Sequence, residues 1–362
     1  MEIKKFVPPK ILKKNLDLNR LNDITQKKWQ YATTGKSALF QILKKFKNKK
    51  ILIPSYICHS VLVPIEELNM IPIYYDIDTD DLNASIDSVK HLFASCDVNI
   101  MLIASMYGNP ADYSFFEEYC ENNSIYLIDD GAQSFGAKVD ERYVGTFGNA
   151  GFFSFSPGKP TAGHLGAFFW SDDEIHIERT SHELLHRFKW YDFYLNRYCA
   201  YAQYNIIFKW SVNMMARILY KSTSYHNDGI SQFEQDILGG IIDGVLTDQY
   251  SYRRVQHDKY YELFKDISIF KIIIGLRGRP NNHKLILLFF DIDEAVKFRK
   301  FLASNNIYCS SGYNLHIPHS RSLEKLKYIT GRIVEIPIEN SAERMNYLGA
   351  VTKHYLSGVS SD

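Results

Sequence analysis

The feature that most constrains this 362-residue chain is an alternation of apolar and helical segments. The short apolar or β-branched runs WQYATT, KKILIPS, IPIYYDID, VNIMLIASMYG, SIYLIDD and AGFFSFS fall within residues 29–156. The helix-spaced stretches SALFQILKKFK, SVLVPIEELN, IDSVKHLF and YSFFEEYCENN separate the first five of them. Strand–helix–strand repetition with strands apolar throughout predicts an α/β fold whose mainly parallel sheet is covered on both faces. Ligands of such sheets collect at the carboxyl ends of the strands. The chemistry is therefore expected in the segments that follow them: TTGKS, PSYICH, SMYGNP, DDGAQS and SFSPGK.

Residues 172–227 change character. RFKWYDFYLNRYCAYAQYNIIFKWSVNMMARILYK is aromatic and helical in spacing but lacks a dense basic face, which favours core or subunit packing over membrane-surface binding. A second, smaller lobe is expected from about residue 235, with KLILLFFDID, EAVKFRKFLASNN and IYCSS reading as strand, helix and strand. The division is thus 1–234 for a large domain, containing the aromatic segment at about 180–225, and 235–362 for a small one. A net charge of +1 argues against a polyanionic partner. Five scattered cysteines without a CxxC pair argue against a disulfide framework and fit a reducing cytoplasm. The start MEIKKFVPPKILKKN has no apolar signal core, and no apolar run is long enough to span a membrane.

Three motifs compete for the function. TTGKSAL ends like a phosphate-binding loop, but Gln30 stands where a Walker loop needs glycine. What survives is a glycine at a strand-to-helix turn, which is either a phosphate cradle or a plain cap. SHELLHRF holds an HExxH set, His182, Glu183 and His186, on one helical face, yet a third ligand is missing nearby and incidental packing explains it better. The third set is Lys159 between prolines and glycines, Asp129 and Asp130 closing a strand, and Ser154. A lysine amine that attacks carbonyls, a carboxylate beside it and a phosphate cradle together fit pyridoxal phosphate (PLP), with no metal.

The residues carry a resemblance as well. TGKSAL resembles SGTxAL, and IPSYICHSVLVPI, IPIYYDID and MYGNPAD resemble further conserved-type segments of one family. LIDDGAQSFGA is similar to IEDAAQAxGA, and VGTFGNAGFFSFSPGK to VGxxGDxGxFSFxxxK, including the step from Ser154 to Lys159. HNDGISQFEQDIL is a fainter echo of NYRMSxxQAA. From about residue 30 onward the chain resembles the DegT/DnrJ/EryC1/StrS sugar aminotransferases, PLP enzymes of fold type I. The resemblance implies a large domain with a mainly parallel sheet and a smaller C-terminal α/β domain. It implies Lys159 as the Schiff-base amine and proton shuttle, Asp130 on the pyridine nitrogen and Gln133 near the phenolic oxygen. It further implies Gly35, Lys36, Ser37 and Ser154 at the phosphate, with Asn227 reaching it across a homodimer.

Several positions depart from that pattern. The ring-stacking aromatic falls on Cys58, with His59 and Tyr56 as alternatives; Lys36 replaces threonine; Gly229 stands where arginine is expected. His164, His316 and His319 are expected near the substrate. The function implied is transfer of an amine, with glutamate as donor, to a nucleotide-linked keto-sugar. The retained lysine argues against the family's dehydratase branch, where histidine replaces it. The rival readings are a binding subunit without catalysis and an HExxH metallohydrolase.

Overall fold

The computed structural model describes residues 13–156, 158–160, 166–177, 179–180, 214, 227–228, 230–313 and 323–359. The strands β1 Gln30–Ala32, β2 Lys50–Pro54, β3 Ile71–Tyr75, β4 Ile100–Ala104 and β5 Tyr126–Asp130 follow the expected runs. A hairpin of β6 Lys138–Val139 and β7 Arg142–Tyr143 precedes β8 Ala150–Ser154 and β9 Ala167–Ser171. The large sheet has the order β1-β9-β8-β5-β4-β2-β3. The pairs β3–β2, β2–β4, β4–β5 and β5–β8 are parallel, whereas β9 runs antiparallel to both β8 and β1. Since β1 and β8 both oppose β9, they share one direction, and their carboxyl ends lie on one edge with those of the parallel strands. The sheet is the mainly parallel one expected, with β9 as a strand that the sequence reading did not name.

Helices α1 Leu18–Thr25, α2 Gly35–Leu43, α3 Leu62–Glu67, α4 Ile86–Ser95 and α5 Tyr113–Asn122 belong to the large lobe. Leu39, Ile42 and Ile65 of α2 and α3 bury against one face of the sheet, and Val89, Phe116 and Cys120 of α4 and α5 against the other. Covering both faces explains why β4 is buried at every position and carries no polar alternation. The expected lobe boundary between residues 234 and 235 falls inside helix Gln232–Leu246. Ile237, Leu238 and Ile241 of that helix pack with Phe153, Phe168 and Trp170 of β8 and β9. A capping box of Ser231 and Glu234 starts it, and Tyr31 donates to Glu234 Oε1 at 2.6 Å.

The small lobe is an antiparallel sheet of β12 Phe270–Ile273, β13 Lys284–Phe289 and β14 Ile333–Pro337. (The short pair β10 Arg179–Thr180 and β11 Asn227–Asp228 precedes it.) Helices Tyr252–Phe264, Ile292–Ser304 and Ala342–Val359 cover its outer face. KLILLF and the helix after it form as expected, but IYCSS does not form a strand; only Ser310 bridges to Glu335. The period of two along a strand sorts its side chains between the lobes. Leu285, Leu287 and Phe289 enter the small-lobe core, whereas Ile286 and Leu288 join the core of the large sheet. On β14, Val334 and Ile336 likewise face inward to the small lobe, and Ile333 faces the large one. Glu335, on the same side as Ile333, is therefore carried into the contact between lobes.

There it is 5% exposed and accepts three hydrogen bonds. Tyr107 donates to Oε1 at 2.5 Å, and Lys284 and Ser310 donate to Oε2 at 2.6 and 2.8 Å. Burial works against its charge, but the Lys284 ammonium and these donors hold its pKa below the ordinary glutamate value. Among the described residues no helix is long and apolar enough to cross a membrane, and no group of three or more side chains suits a metal ion.

Replacing Glu335 by Gln leaves Lys284 without its counter-charge and is expected to cost about 3 kcal/mol. Because the folded pKa is depressed, the stabilisation is complete above the unfolded value and lost as pH falls through the folded one. Chemical denaturation of wild type and Glu335→Gln should therefore differ most near neutrality, and the difference should shrink as pH falls through the folded pKa, which lies below the ordinary glutamate value.

Candidate active site

The two carboxylates that end β5 have separate fates. Asp129 is fully buried and closes a local network: Tyr113 donates to Oδ1 at 2.6 Å, and the Gly145 and Phe147 N–H groups donate to Oδ2 at 2.6 and 3.1 Å. Burial dominates and pushes its pKa up to about 7 despite these donors. Asp129 thus fastens the loop leading into β8. Alternation along β5 turns Asp130 to the other side. It is 7% exposed, and its hydrogen bond among the described residues comes from the Ala132 N–H at 2.9 Å. Burial raises its pKa, opposed first by the charge of Lys159 and then by that N–H. A buried carboxylate with so few donors is costly unless a cation meets it.

Lys159 lies in the turn after β8, closed by its own N–H donating to Ser156 O at 3.2 Å. Gly158 adopts φ +80, a backbone that other residues rarely take, and Pro160 is buried. The guanidinium of Arg253, 5% exposed, donates to the Pro160 carbonyl and holds the turn from the side of helix Tyr252–Phe264. The helix starting at TTGKS reaches the same edge. Thr34 caps it by accepting from the Ser37 N–H at 3.1 Å, so that donor is engaged by the cap and the Gly35 and Lys36 N–H groups are the ones at the helix tip. A Cβ on Gly35 would lie 3.0 Å from Ser154 Oγ, so glycine lets the helix start close against the end of β8. Ser154 Oγ lies 3.1 Å from Ser156 Oγ. A helix N-terminus flanked by hydroxyls is an anion site by construction.

Gln133 donates through Nε2 to Tyr313 Oη at 2.5 Å, while its buried Oε1 has no partner among the described residues. Its backbone carbonyl accepts from Asn281 Nδ2 at 2.8 Å. Cys58 precedes a short 3-10 turn, His59–Val61, with its thiol 3.3 Å from Ser60 Oγ. His59 is exposed, and Tyr56 is buried with its hydroxyl 2.5 Å from Tyr107 Oη. The structure therefore brings Gly35, Lys36, Ser37, Cys58, Asp130, Gln133, Ser154 and Lys159 to one edge of the sheet. Asn227 pairs with Arg179 in a short parallel bridge, and its side chain lies outside the described residues, as do His164, His316, His319, the HExxH set and most of the aromatic 188–220 segment.

Sequence reasoning missed Tyr107, Arg253, Asn281, Tyr313 and Glu335, and named Tyr56 only as an alternative to Cys58. Their only common signal is tertiary, since they come from loops and both lobes. The donor set fits PLP: an amine beside a buried carboxylate, an unpaired amide oxygen on Gln133, and a helix tip at Gly35 that a Cβ would crowd.

Residues 29–188 match the model of the DegT/DnrJ/EryC1/StrS aminotransferase family. The chain is 27% identical over 174 residues to the GDP-perosamine synthase of Escherichia coli O157:H7, covering 45% of this chain and 48% of that protein. It spans less than half the length of the first curated relatives it matches. Solved structures cover more. A DegT DnrJ EryC1 StrS aminotransferase from Brucella abortus superposes with a TM-score of 0.69 at 16% identity, over 93% of this chain and 88% of that one. The E. coli GDP-4-keto-6-deoxy-D-mannose-3-dehydratase with bound hydrated PLP gives 0.66 at 16% identity, over 92% and 90%. These likenesses carry the fold, that of the PLP-dependent aminotransferases. The segment that matches the DegT/DnrJ/EryC1/StrS family's model is the one that holds the strand-end residues Asp130, Ser154 and Lys159.

Proposed function

We propose that the protein is a PLP-dependent aminotransferase that moves an amino group from glutamate to the ketone of a nucleotide-linked sugar. The observation that carries the reading is the placement of Lys159 and the buried, under-hydrogen-bonded Asp130 after neighbouring parallel strands, β8 and β5. PLP, when bound, supplies an aldehyde for amine exchange and a ring that withdraws electrons. Asp130 holds the proton on the ring nitrogen. The Gly35 and Lys36 N–H groups and the Ser154 hydroxyl bind the phosphate. Lys159 Nζ is the nucleophile and the base: it takes the proton from the α-carbon of the donor and delivers one to the sugar carbon that gains the amine. Arg253 keeps that amine in register through Pro160.

The nucleotide-sugar substrate rests on the relatives. GDP-perosamine synthase and dTDP-3-amino-3,4,6-trideoxy-alpha-D-glucose transaminase carry such sugars in their names, and a lysine at 159 favours amine transfer over dehydration. The same reading makes the protein a cytoplasmic homodimer, with Asn227 contributed across the interface, and divides the chain into lobes at about residue 235.

Borohydride reduction of the PLP-loaded protein followed by peptide mapping should find the cofactor on Lys159. Incubation with glutamate and a panel of nucleotide keto-sugars should give the amino sugar, detected by mass. Lys159→Ala should lower turnover by roughly a thousandfold or more. Trapping only on scattered surface lysines would sink the reading.

Asp130→Asn separates function from stability. Neutralising a buried carboxylate that lacks donors should leave the melting temperature of the cofactor-free protein unchanged or raised, while PLP binding and turnover fall. Asp129→Asn should do the opposite first, lowering stability by about 2 kcal/mol because its three donors lose their carboxylate. Thermal melts of the two variants side by side check both expectations.

A further inference from the structure

A protonated pyridine ring held at one edge by a carboxylate is flat and electron-poor, and an aromatic side chain against its face stabilises it. The segment after β2 does not provide one. Cys58 has no ring, His59 is exposed, and the buried Tyr56 has its hydroxyl committed to Tyr107. An aromatic side chain that reaches Gln133 comes instead from the small lobe.

Tyr313 Oη accepts from Gln133 Nε2 at 2.5 Å, which sets the end of its ring against the site. Its N–H donates to Tyr56 Oη at 3.2 Å, and its ring lies 5.4 Å from that of Tyr56 and within 9° of parallel to that of Tyr107. The chain reaches this place through Gly312 at φ +74, where a Cβ would stand 2.3 Å from Tyr56 Oη. No other residue passes there without displacing Tyr56. The surroundings of the phenol agree with the geometry: burial raises its pKa well above 10, followed by the charges of Cys58, Glu335, Tyr56 and Asp130. Tyr313 thus stands among Cys58, Gln133 and Asp130, side chains from the ends of two strands, β2 and β5.

We infer that Tyr313 is the aromatic side chain that covers the face of the bound cofactor ring, in the place that Cys58 leaves bare, and that Gly312 is the pivot that lets it enter. The inference rests on the PLP reading above. It differs from a purely structural role, in which Tyr313 only fastens the lobes through its hydroxyl. The ring and the hydroxyl can be separated by mutation.

The test is a spectroscopic titration of the cofactor-free protein with PLP. Tyr313→Phe, which keeps the ring, should bind within about twofold of wild type, and Tyr313→Leu about tenfold more weakly. Cys58→Phe added to Tyr313→Leu should recover most of that loss by supplying a ring from the other side. Melting of the cofactor-free variants checks folding, and Tyr313→Gln, which keeps a polar partner for Gln133, repeats the comparison if the leucine variant melts early. Unchanged affinity in the ringless variants overturns the inference, and so does a phenylalanine variant as weak as the leucine one. If wild type traps PLP on Lys159 while these variants bind normally, only this inference fails. If wild type does not trap PLP there, the functional reading fails with it.

Discussion

The site depends on one buried ionic cluster. Glu335, carried inward by the alternation of β14, meets Lys284 from β13, Tyr107 from the loop after β4 and Ser310 from the small lobe. Tyr107 in turn meets Tyr56 from the loop after β2, and Tyr56 accepts from the Tyr313 N–H. Apolar contacts of Ile286, Leu288 and Ile333 press the lobes together, but such contacts are non-directional. The hydrogen bonds are directional, and they decide where the loops lie. Desolvation of Glu335 and Lys284 offsets much of their attraction, so the cluster contributes less net stability than its short distances suggest. Its effect is on geometry: it fixes two loops of the large lobe and one of the small lobe against a single carboxylate.

Adjacent aspartates show the opposite distribution of cost. Asp129 is satisfied by three donors and stabilises the approach to β8, whereas Asp130 is buried with little compensation. The folded chain tolerates Asp130 because Asp129 and the apolar strands around it determine the backbone. A carboxylate kept short of donors by a rigid scaffold is ready to take a cation without first breaking bonds. That readiness is what a site for a protonated ring requires, and it is bought with stability elsewhere.

Much of this was legible in the sequence, and the limits have physical causes. Runs such as VNIMLIASMYG and SIYLIDD are long, apolar and bounded by turn residues, so β4 and β5 were visible locally. AFFWS was not, because five residues beside a glycine-rich loop give no period to read. IYCSS has the composition of a strand, yet the partner edge is taken by Ile333–Pro337 and only Ser310 bridges to it. Asp130, Gln133, Ser154 and Lys159 stood out because each ends a strand or follows one within a few residues. Arg253 and Tyr313 did not, since each acts across more than ninety residues of intervening chain. The boundary at residue 235 followed the change in composition, whereas helix Gln232–Leu246 follows its apolar face onto β8 and β9.

The turn that carries Lys159 is held from both lobes, and this bears on how the site is kept in register. β8 delivers Lys159 from the large sheet. Arg253, at the start of a helix whose Tyr260 and Phe264 sit in the small-lobe core, grips the next carbonyl along, that of Pro160. Tyr313 reaches Gln133 from the same lobe. Two independent tethers from the small lobe therefore end beside Lys159, at Pro160, and beside Asp130, at Gln133. A rigid-body shift of that lobe would move both tethers together, so the amine and the aromatic ring would keep their mutual position better than either keeps its position relative to the sheet. The glycines at 158 and 312, both at positive φ, are where the backbone can absorb such a shift without strain in a side chain.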